Sequence, residues 1–132
     1  MTEKQLIEKL TKLVKVWSEK LGIGDYKYQI RVVPGSKLKK TYAEVLADSE
    51  TREAFITFNK TRMFREPNQI EVTVVHELLH VRFDEAYELS EEIIKSYVKP
   101  IKTRRMITKQ LDKAEHKIIV ALSDALVNGV KH

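Results

Sequence analysis

Near the start of the chain, apolar residues recur every three or four positions, which is the spacing of an amphipathic helix. Thr2 and Gln5 have the identities of a capping box at the N-terminus of this helix, and Gly22 and Gly24 end it. The sequence therefore opens with a helix. Its buried stripe is predicted to consist of Leu6, Leu10, Leu13, Val14, Trp17 and Leu21.

The pattern then changes to alternation, which indicates β-strands. Residues 26–33 alternate in this way, and Pro34-Gly35 turns the chain. Residues 42–47 and 54–58 form two further predicted strands, joined by the polar turn at 48–53. Because so short a connection favours an antiparallel pair, we expect a three-stranded, largely antiparallel sheet.

After Pro67 the period changes again. Residues 70–83, IEVTVVHELLHVRF, are apolar at nearly every position, which is typical of a helix buried at the centre of a domain. Further helices are predicted at 88–99, ending before Pro100, and at 103–127, ending at Asn128-Gly129. The predicted fold is α+β over one domain, 1–132, with the central helix packed on the sheet and C-terminal helices following it.

Composition excludes several classes of protein. The 132 residues are 42% hydrophobic and 33% charged, which is the usage of an ordinary globular domain. No apolar run reaches roughly 18 residues, and MTEKQLIEKL is charged where a signal peptide is apolar, so we expect a cytoplasmic protein. Because the chain has no Cys, any transition-metal site must use His, Asp and Glu.

The net charge of +5 permits contact with nucleic acid but does not require it. No aromatic residues interleave with the basic ones in the manner of a surface that binds single strands. We therefore expect two solvated surface patches, formed by Lys37, Lys39 and Lys40 and by Arg104, Arg105 and Lys109.

The segment His76-Glu77-Leu78-Leu79-His80 is an H-E-x-x-H motif inside the predicted central helix. Residues four apart share one face of a helix, so both imidazoles can reach one Zn²⁺ ion. Glu77 lies about 100° round the helix, where a general base can take a proton from water beside the metal. Coincidence is disfavoured because two unpaired imidazoles in an apolar segment would be costly to desolvate. The motif predicts a zinc site with His76 and His80 as ligands and Glu77 as the catalytic residue.

A catalytic zinc needs a third protein ligand, and the Gly and third His that extend many such motifs are missing after His80. With Leu111 of the final helix placed at zero, Glu115 falls at about 40°, in the middle of the apolar stripe. A carboxylate in a core-facing position needs a partner, so we predict that Glu115 is the third ligand. The stripe consists of Ile107, Ile118, Leu122 and Ala125, within about 40° of Leu111, and of Ile119 and Leu126, within about 80°.

The sequence also permits other roles for Glu115 and other residues as the third ligand. Glu115 could form a buried ion pair with Arg31, Arg82 or a Lys instead. A residue beside the stripe could orient a ligand rather than bind the metal itself. The other candidates for the third ligand are Asp84 and Glu85, just past the predicted helix end, Asp112 and His116 at the edge of the stripe, and the terminal His132.

On these residues the chain resembles the zincin superfamily, and more narrowly the small single-domain metallopeptidase-like proteins of bacteria and their phages. The matching stretches are VVHELLHVRF, residues 74–83, and AEHKIIVALSDAL, residues 114–126. Members pair an HExxH helix with a downstream helix that supplies a Glu ligand, and Glu115 stands at that position. The resemblance implies a zincin-like fold, a helix-borne zinc site and peptide hydrolysis. Arg82 departs from the apolar residue that many members carry, and the HGxxW-like features of the DNA-associated SprT proteases are absent, so that role is not carried over.

The predicted function is zinc-dependent hydrolysis of a peptide or protein substrate, with Glu77 as general base and then general acid. The strand at 54–58 could bind extended substrate at a sheet edge, although a plain core strand is equally expected. One alternative is a non-proteolytic zinc-binding or regulatory protein. The other is a nucleic-acid-binding module that uses the basic groups.

Overall fold

The computed structural model describes residues 1–38 and 40–129; Lys39 and His132, both named above, lie outside these ranges. Helix α1, Glu3–Lys20, begins at the predicted capping box. The Thr2 hydroxyl accepts from the Gln5 N–H at 3.2 Å, and the Gln5 side chain accepts from the Thr2 N–H at 2.8 Å. The Trp17 indole N–H donates to Glu71 at 2.9 Å, which fastens α1 to the later helix that carries the HExxH motif.

The sheet consists of β1 (Lys27–Val33), β2 (Ala43–Asp48) and β3 (Glu53–Asn59), in the order β1-β3-β2. The β2–β3 pair is antiparallel, as predicted. The β1–β3 pair is parallel, so the prediction of a largely antiparallel sheet is wrong and the sheet is mixed. The chain after β1 does not form a simple Pro34-Gly35 turn but enters a short helix, α2 (Gly35–Leu38), and crosses over before β2 begins.

Strand order also decides which strand is free to pair. β3 has a partner on each side, which confirms that residues 54–58 form a core strand, and the alternative of an open edge there is wrong. β2 is an edge strand instead. Ala54, Ile56 and Phe58 of β3 are fully buried, whereas Leu46 and Phe55 on the other face of the sheet are exposed. The helices therefore cover one face of the sheet. The core on that face includes Leu6, Leu10, Met63, Ile70, Val74 and Leu78.

At the end of β3, Asn59 starts helix α3 (Lys60–Arg65) by accepting from the Arg62 N–H at 3.1 Å. After a 3-10 turn at Pro67–Gln69, helix α4 runs without interruption over Ile70–Tyr97. Two helices at 70–83 and 88–99 were predicted, and this division is wrong because residues 84–87 contain no Gly or Pro to break the helix. The buried residues of α4 all lie at or before Val81, so its second half extends beyond the core.

Helix α5, Ile101–Asn128, folds back along α4 and ends at Gly129, whose φ of +68° suits a residue without a side chain. Its inward face is rotated relative to the predicted stripe. Ile119 is fully buried, whereas Ile118 is 51% exposed and Leu122 is 37% exposed. The predicted stripe around Leu111, Ile118 and Leu122 is therefore wrong in part, because α5 meets the core on the side that carries Ile119 and Ser123.

The described residues form five α-helices and a three-stranded mixed sheet. This arrangement confirms the predicted α+β class. The HExxH helix lies at the centre, between the sheet and α5. Within residues 1–38 and 40–129, no helix combines the length and apolar character that crossing a bilayer requires.

Candidate metal centre

The two histidines of the HExxH motif lie one turn apart on α4, as predicted. Their ring centroids are 5.1 Å apart, with the rings edge to face. The neighbouring Val75, Leu78 and Leu79 are buried and hold this part of the helix against the core. Both rings are half-buried and face a cleft, so their nitrogens remain accessible to a ligand.

The cleft lies between the edge strand β2, helix α4 and helix α5. It consists of two adjoining cavities of about 560 Å³ and about 600 Å³, which share His76 and Glu77. One wall of the first cavity is strand β2. The second cavity continues past Thr73 towards α5. The first cavity is further lined by His80, Asp84, Tyr87 and Glu115, and the second by His116, Val120 and Ser123.

Glu77 is the most unusual residue of the cleft. It is only 6% exposed, and among the described residues nothing donates a hydrogen bond to its carboxylate. Burial, and then the negative charge of Glu44 on β2, raise the pKa of Glu77 to about 7. Such a carboxyl group can accept and return a proton near neutral pH, which is what a general base and acid requires.

His76 is held in the neutral form. Burial, and then the neighbouring His80 and His116, lower the pKa of His76 to about 4. The His116 ring centroid lies 6.0 Å from that of His76. Since the neutral imidazole is the form that binds a metal ion, His76 needs to lose no proton to act as a ligand at neutral pH.

Glu115 reaches the site from α5. Its Oε1 atom lies 3.1 Å from Nδ1 of His80, and the two side chains are 21% and 31% exposed. Two ligand atoms of a tetrahedral zinc ion with bonds of about 2.0–2.1 Å are separated by about 3.3 Å. The observed separation therefore suits two roles: Glu115 as a ligand that shares an ion with His80, or Glu115 as the acceptor that orients the His80 ring.

The metal-ligand geometry is not preformed. Within residues 1–38 and 40–129, no three His, Asp or Glu side chains are arranged to hold an ion as they stand. His76, His80 and Glu115 lie close together, but Glu115 is engaged with the His80 ring. A shared ion would replace that contact, and the residue types present are the ones that zinc prefers.

The structure separates the other predicted candidates for the third ligand. Asp84 lies within α4, one turn beyond His80, and lines the cleft, so its placement past a helix end was wrong. Glu85 also lies inside α4, where it is exposed and does not line the cleft. Asp112 accepts a hydrogen bond from the Tyr87 hydroxyl. His116 lies beside His76, and His132 is outside the described residues.

Asp84 has a partly buried carboxyl group and a raised pKa, neither of which its position in the sequence predicts. Its Oδ2 atom is buried without a hydrogen-bond partner among the described residues. Burial, and then Glu88 and Glu115, raise the pKa of Asp84 to about 6. The signal for Asp84 was present as the four-residue spacing of His76, His80 and Asp84, which places all three on one face of an uninterrupted helix. Glu44 had no such signal, because only the packing of β2 against α4 brings it to Glu77.

Comparison of the chain with known protein families, curated proteins and solved structures finds no match. The chemistry of the site is therefore argued from its own residues. A His pair in which His76 is held neutral, a largely buried carboxyl group with a pKa of about 7 and a cleft open to a sheet edge together suit metal-assisted hydrolysis.

Proposed function

We propose that this protein is a zincin-like, zinc-dependent peptidase. The observation that carries the proposal is Glu77, a carboxyl group buried beside a His pair with its pKa at about 7. A residue kept only for stability gains nothing from this environment, since burying most of a carboxylate away from water is costly. Strong perturbation of a titratable group inside a cleft is instead typical of catalytic residues.

His76, His80 and Glu115 would hold the zinc ion. When bound, the ion would supply the Lewis acidity that polarises a carbonyl and makes water nucleophilic near neutral pH. Glu77 accepts the proton of the attacking water and passes it to the departing amine, a transfer for which its pKa is well placed. The buried flank of α4 keeps His76 and Glu77 in fixed relative positions, so neither has to reorganise during the reaction.

The substrate class we propose is an extended peptide or protein segment. β2 is an edge strand, and its residues Ala43–Ala47 form one wall of the cleft opposite the HExxH face of α4. An added strand would bond to the open side of β2 through its main chain, with its carbonyl groups passing the His pair. We therefore propose that substrate binds at β2 and not at residues 54–58.

The proposal is tested with Glu77→Gln, which keeps the size of the side chain but removes its ability to carry a proton. Hydrolysis of a fluorescently labelled, unfolded protein by the zinc-loaded enzyme should fall by at least about 100-fold. Zinc content should stay unchanged. Glu85→Gln, which alters an exposed carboxylate of the same helix outside the cleft, is the matched control and should retain full activity. Hydrolysis by Glu77→Gln as fast as by Glu85→Gln would contradict the role of Glu77 as general base. Absence of hydrolysis by the zinc-loaded wild type would instead indicate a non-proteolytic zinc-binding protein.

A further inference from the structure

Positive charge is concentrated in the part of the chain that extends beyond the core. Residues 95–117 contain eight Lys or Arg and two acidic residues, an excess larger than the net charge of +5 of the whole chain. Most of this charge lies on the first half of α5. The remainder of the molecule is therefore close to neutral, and the charge of the protein is a local property of this helix.

Five of these residues form one continuous line, which we call the basic stripe. At about 100° per residue they fall within an arc of about 120° on the side of α5 opposite Leu111. All five are exposed. Their spacing of three, four, four and four residues places one cation on each successive turn. The basic stripe consists of Lys102, Arg105, Lys109, Lys113 and Lys117.

The basic stripe has few acidic neighbours: Arg105 and Lys109 share a groove between α4 and α5 with Glu91 and Asp112. Among the described residues, the ion pairs involve other parts of the chain and none includes a stripe residue. Asp112 lies just outside the arc and is bonded to the Tyr87 hydroxyl. Like charges four residues apart on a helix repel one another, so the bare stripe costs stability that an anionic partner would recover.

The partner chemistry follows from the dimensions and from the side chains between the cations. Lys102 and Lys117 are separated by about 22 Å along the helix axis, which matches roughly six or seven base pairs of a duplex at 3.4 Å each. No Phe, Tyr or Trp lies in the arc between them, and the one ring there, that of His116, lies beside His76, so base stacking on a single strand is disfavoured. Met106 is the one large apolar residue there, too little for the broad apolar face of a helix that lies in a membrane surface.

We propose that the basic stripe of α5 binds the phosphate backbone of a nucleic-acid duplex, independently of base sequence. Each Lys or Arg neutralises one phosphate and releases the counterions condensed around it. With five contacts, the logarithm of the binding constant should fall against the logarithm of the salt concentration with a slope of about −4.5. Because the stripe contains none of the proposed zinc ligands, binding should persist in the presence of a chelator.

The test is fluorescence anisotropy of labelled 20-base-pair DNA and RNA duplexes titrated with the full chain between 50 and 200 mM NaCl. Lys109→Gln/Lys113→Gln should weaken binding by about tenfold or more at the lower salt and reduce the slope by about 2. The matched control is Lys9→Gln/Lys12→Gln, which removes the same charge from exposed positions of α1. The control should bind almost as tightly as the wild type and keep its slope.

Three results would overturn the proposal. The first is absence of duplex binding at 50 mM NaCl. The second is equal weakening by the stripe variant and the α1 variant, which would attribute binding to net charge alone. The third is tighter binding of a single strand, or of vesicles containing phosphatidylserine, than of either duplex. Circular dichroism spectra and melting temperatures of both variants exclude loss of folding as the cause of weakened binding.

Discussion

The Nδ1 atom of His80 lies 3.1 Å from Oε1 of Glu115, across the interface between α4 and α5. The two residues are 35 positions apart in sequence, and the contact exists because α5 folds back along an uninterrupted α4. Glu115 is thereby brought from a separate helix to the HExxH pair, where it meets His80 and not a cation such as Arg31 or Arg82.

Replacing Glu115 distinguishes its two candidate roles. Gln at this position still accepts a hydrogen bond from the His80 ring but is a poor zinc ligand. If Glu115 is a ligand, as we propose, Glu115→Gln should weaken zinc binding by about 100-fold or more, measured by competition with a chromophoric chelator. If Glu115 only orients the His80 ring, Gln should retain most of the affinity while Ala loses it.

A pair of substitutions in α5 tests which side of that helix meets the core. Ile119→Ala should lower the free energy of unfolding by about 2–4 kcal/mol, because a fully buried side chain leaves a cavity. Ile118→Ala should cost less than about 1 kcal/mol, because its side chain is 51% exposed. Urea unfolding of both variants gives the comparison. A larger loss of unfolding free energy for Ile118→Ala would show that the side of α5 predicted from the sequence faces the core.

Asp84 should make the metal-free protein less stable at neutral pH. Its pKa is raised from 3.8 to about 6, so the folded state holds the proton more tightly than the unfolded chain does. Stability therefore falls as the pH rises from 3.8 through about 6. Asp84→Asn removes this effect and should raise the melting temperature by roughly 2–4 °C at pH 7.5, since solvent screening keeps the gain small.

The same substitution should have almost no effect at pH 4, where Asp84 is largely protonated when folded. Differential scanning calorimetry of the chelator-treated protein at several pH values measures the difference. The control is Glu92→Gln, which removes an exposed carboxylate of the same helix and should give a pH-independent result. A gain for Asp84→Asn that is as large at pH 4 as at pH 7.5 would contradict the assignment.

His76 should titrate far below an ordinary histidine in the metal-free protein. Burial and the neighbouring rings lower its pKa from 6.5 to about 4. The stability that its neutral form contributes is complete above pH 6.5 and is lost as the pH falls towards 4. NMR titration of the ring signals measures this directly. A midpoint near 6.5 would show that the ring is not buried as described.

The local parts of this architecture were predictable from sequence, and the non-local parts were not. The spacing of His76 and His80 fixes their shared face on any helix, and the Thr2–Gln5 cap depends on four neighbouring residues. The parallel pairing of β1 with β3 depends instead on the path of the chain between β1 and β2. The sequences of the two strands do not indicate that path. The proximity of Glu44 to Glu77 was likewise not predictable, because it depends on how β2 packs beside α4.

The two wrong predictions about the helices have a different physical cause. Residues 84–87, DEAY, contain no large aliphatic side chain because α4 leaves the core there. This loss of apolar periodicity resembled a helix end, although nothing breaks the helix. In α5, Ile118 and Ile119 are both apolar, so periodicity alone could not decide which one faces inward. Packing against α4 decides it in favour of Ile119.

Elemental analysis of the purified chain after dialysis against buffer with a low, fixed concentration of free zinc tests the proposed metal centre most directly. We predict about one zinc ion per wild-type chain and almost none in His80→Ala, with the exposed Glu85→Ala variant equal to wild type. Wild-type protein without zinc, or equal zinc in wild type and His80→Ala, would contradict a metal centre built on the HExxH helix.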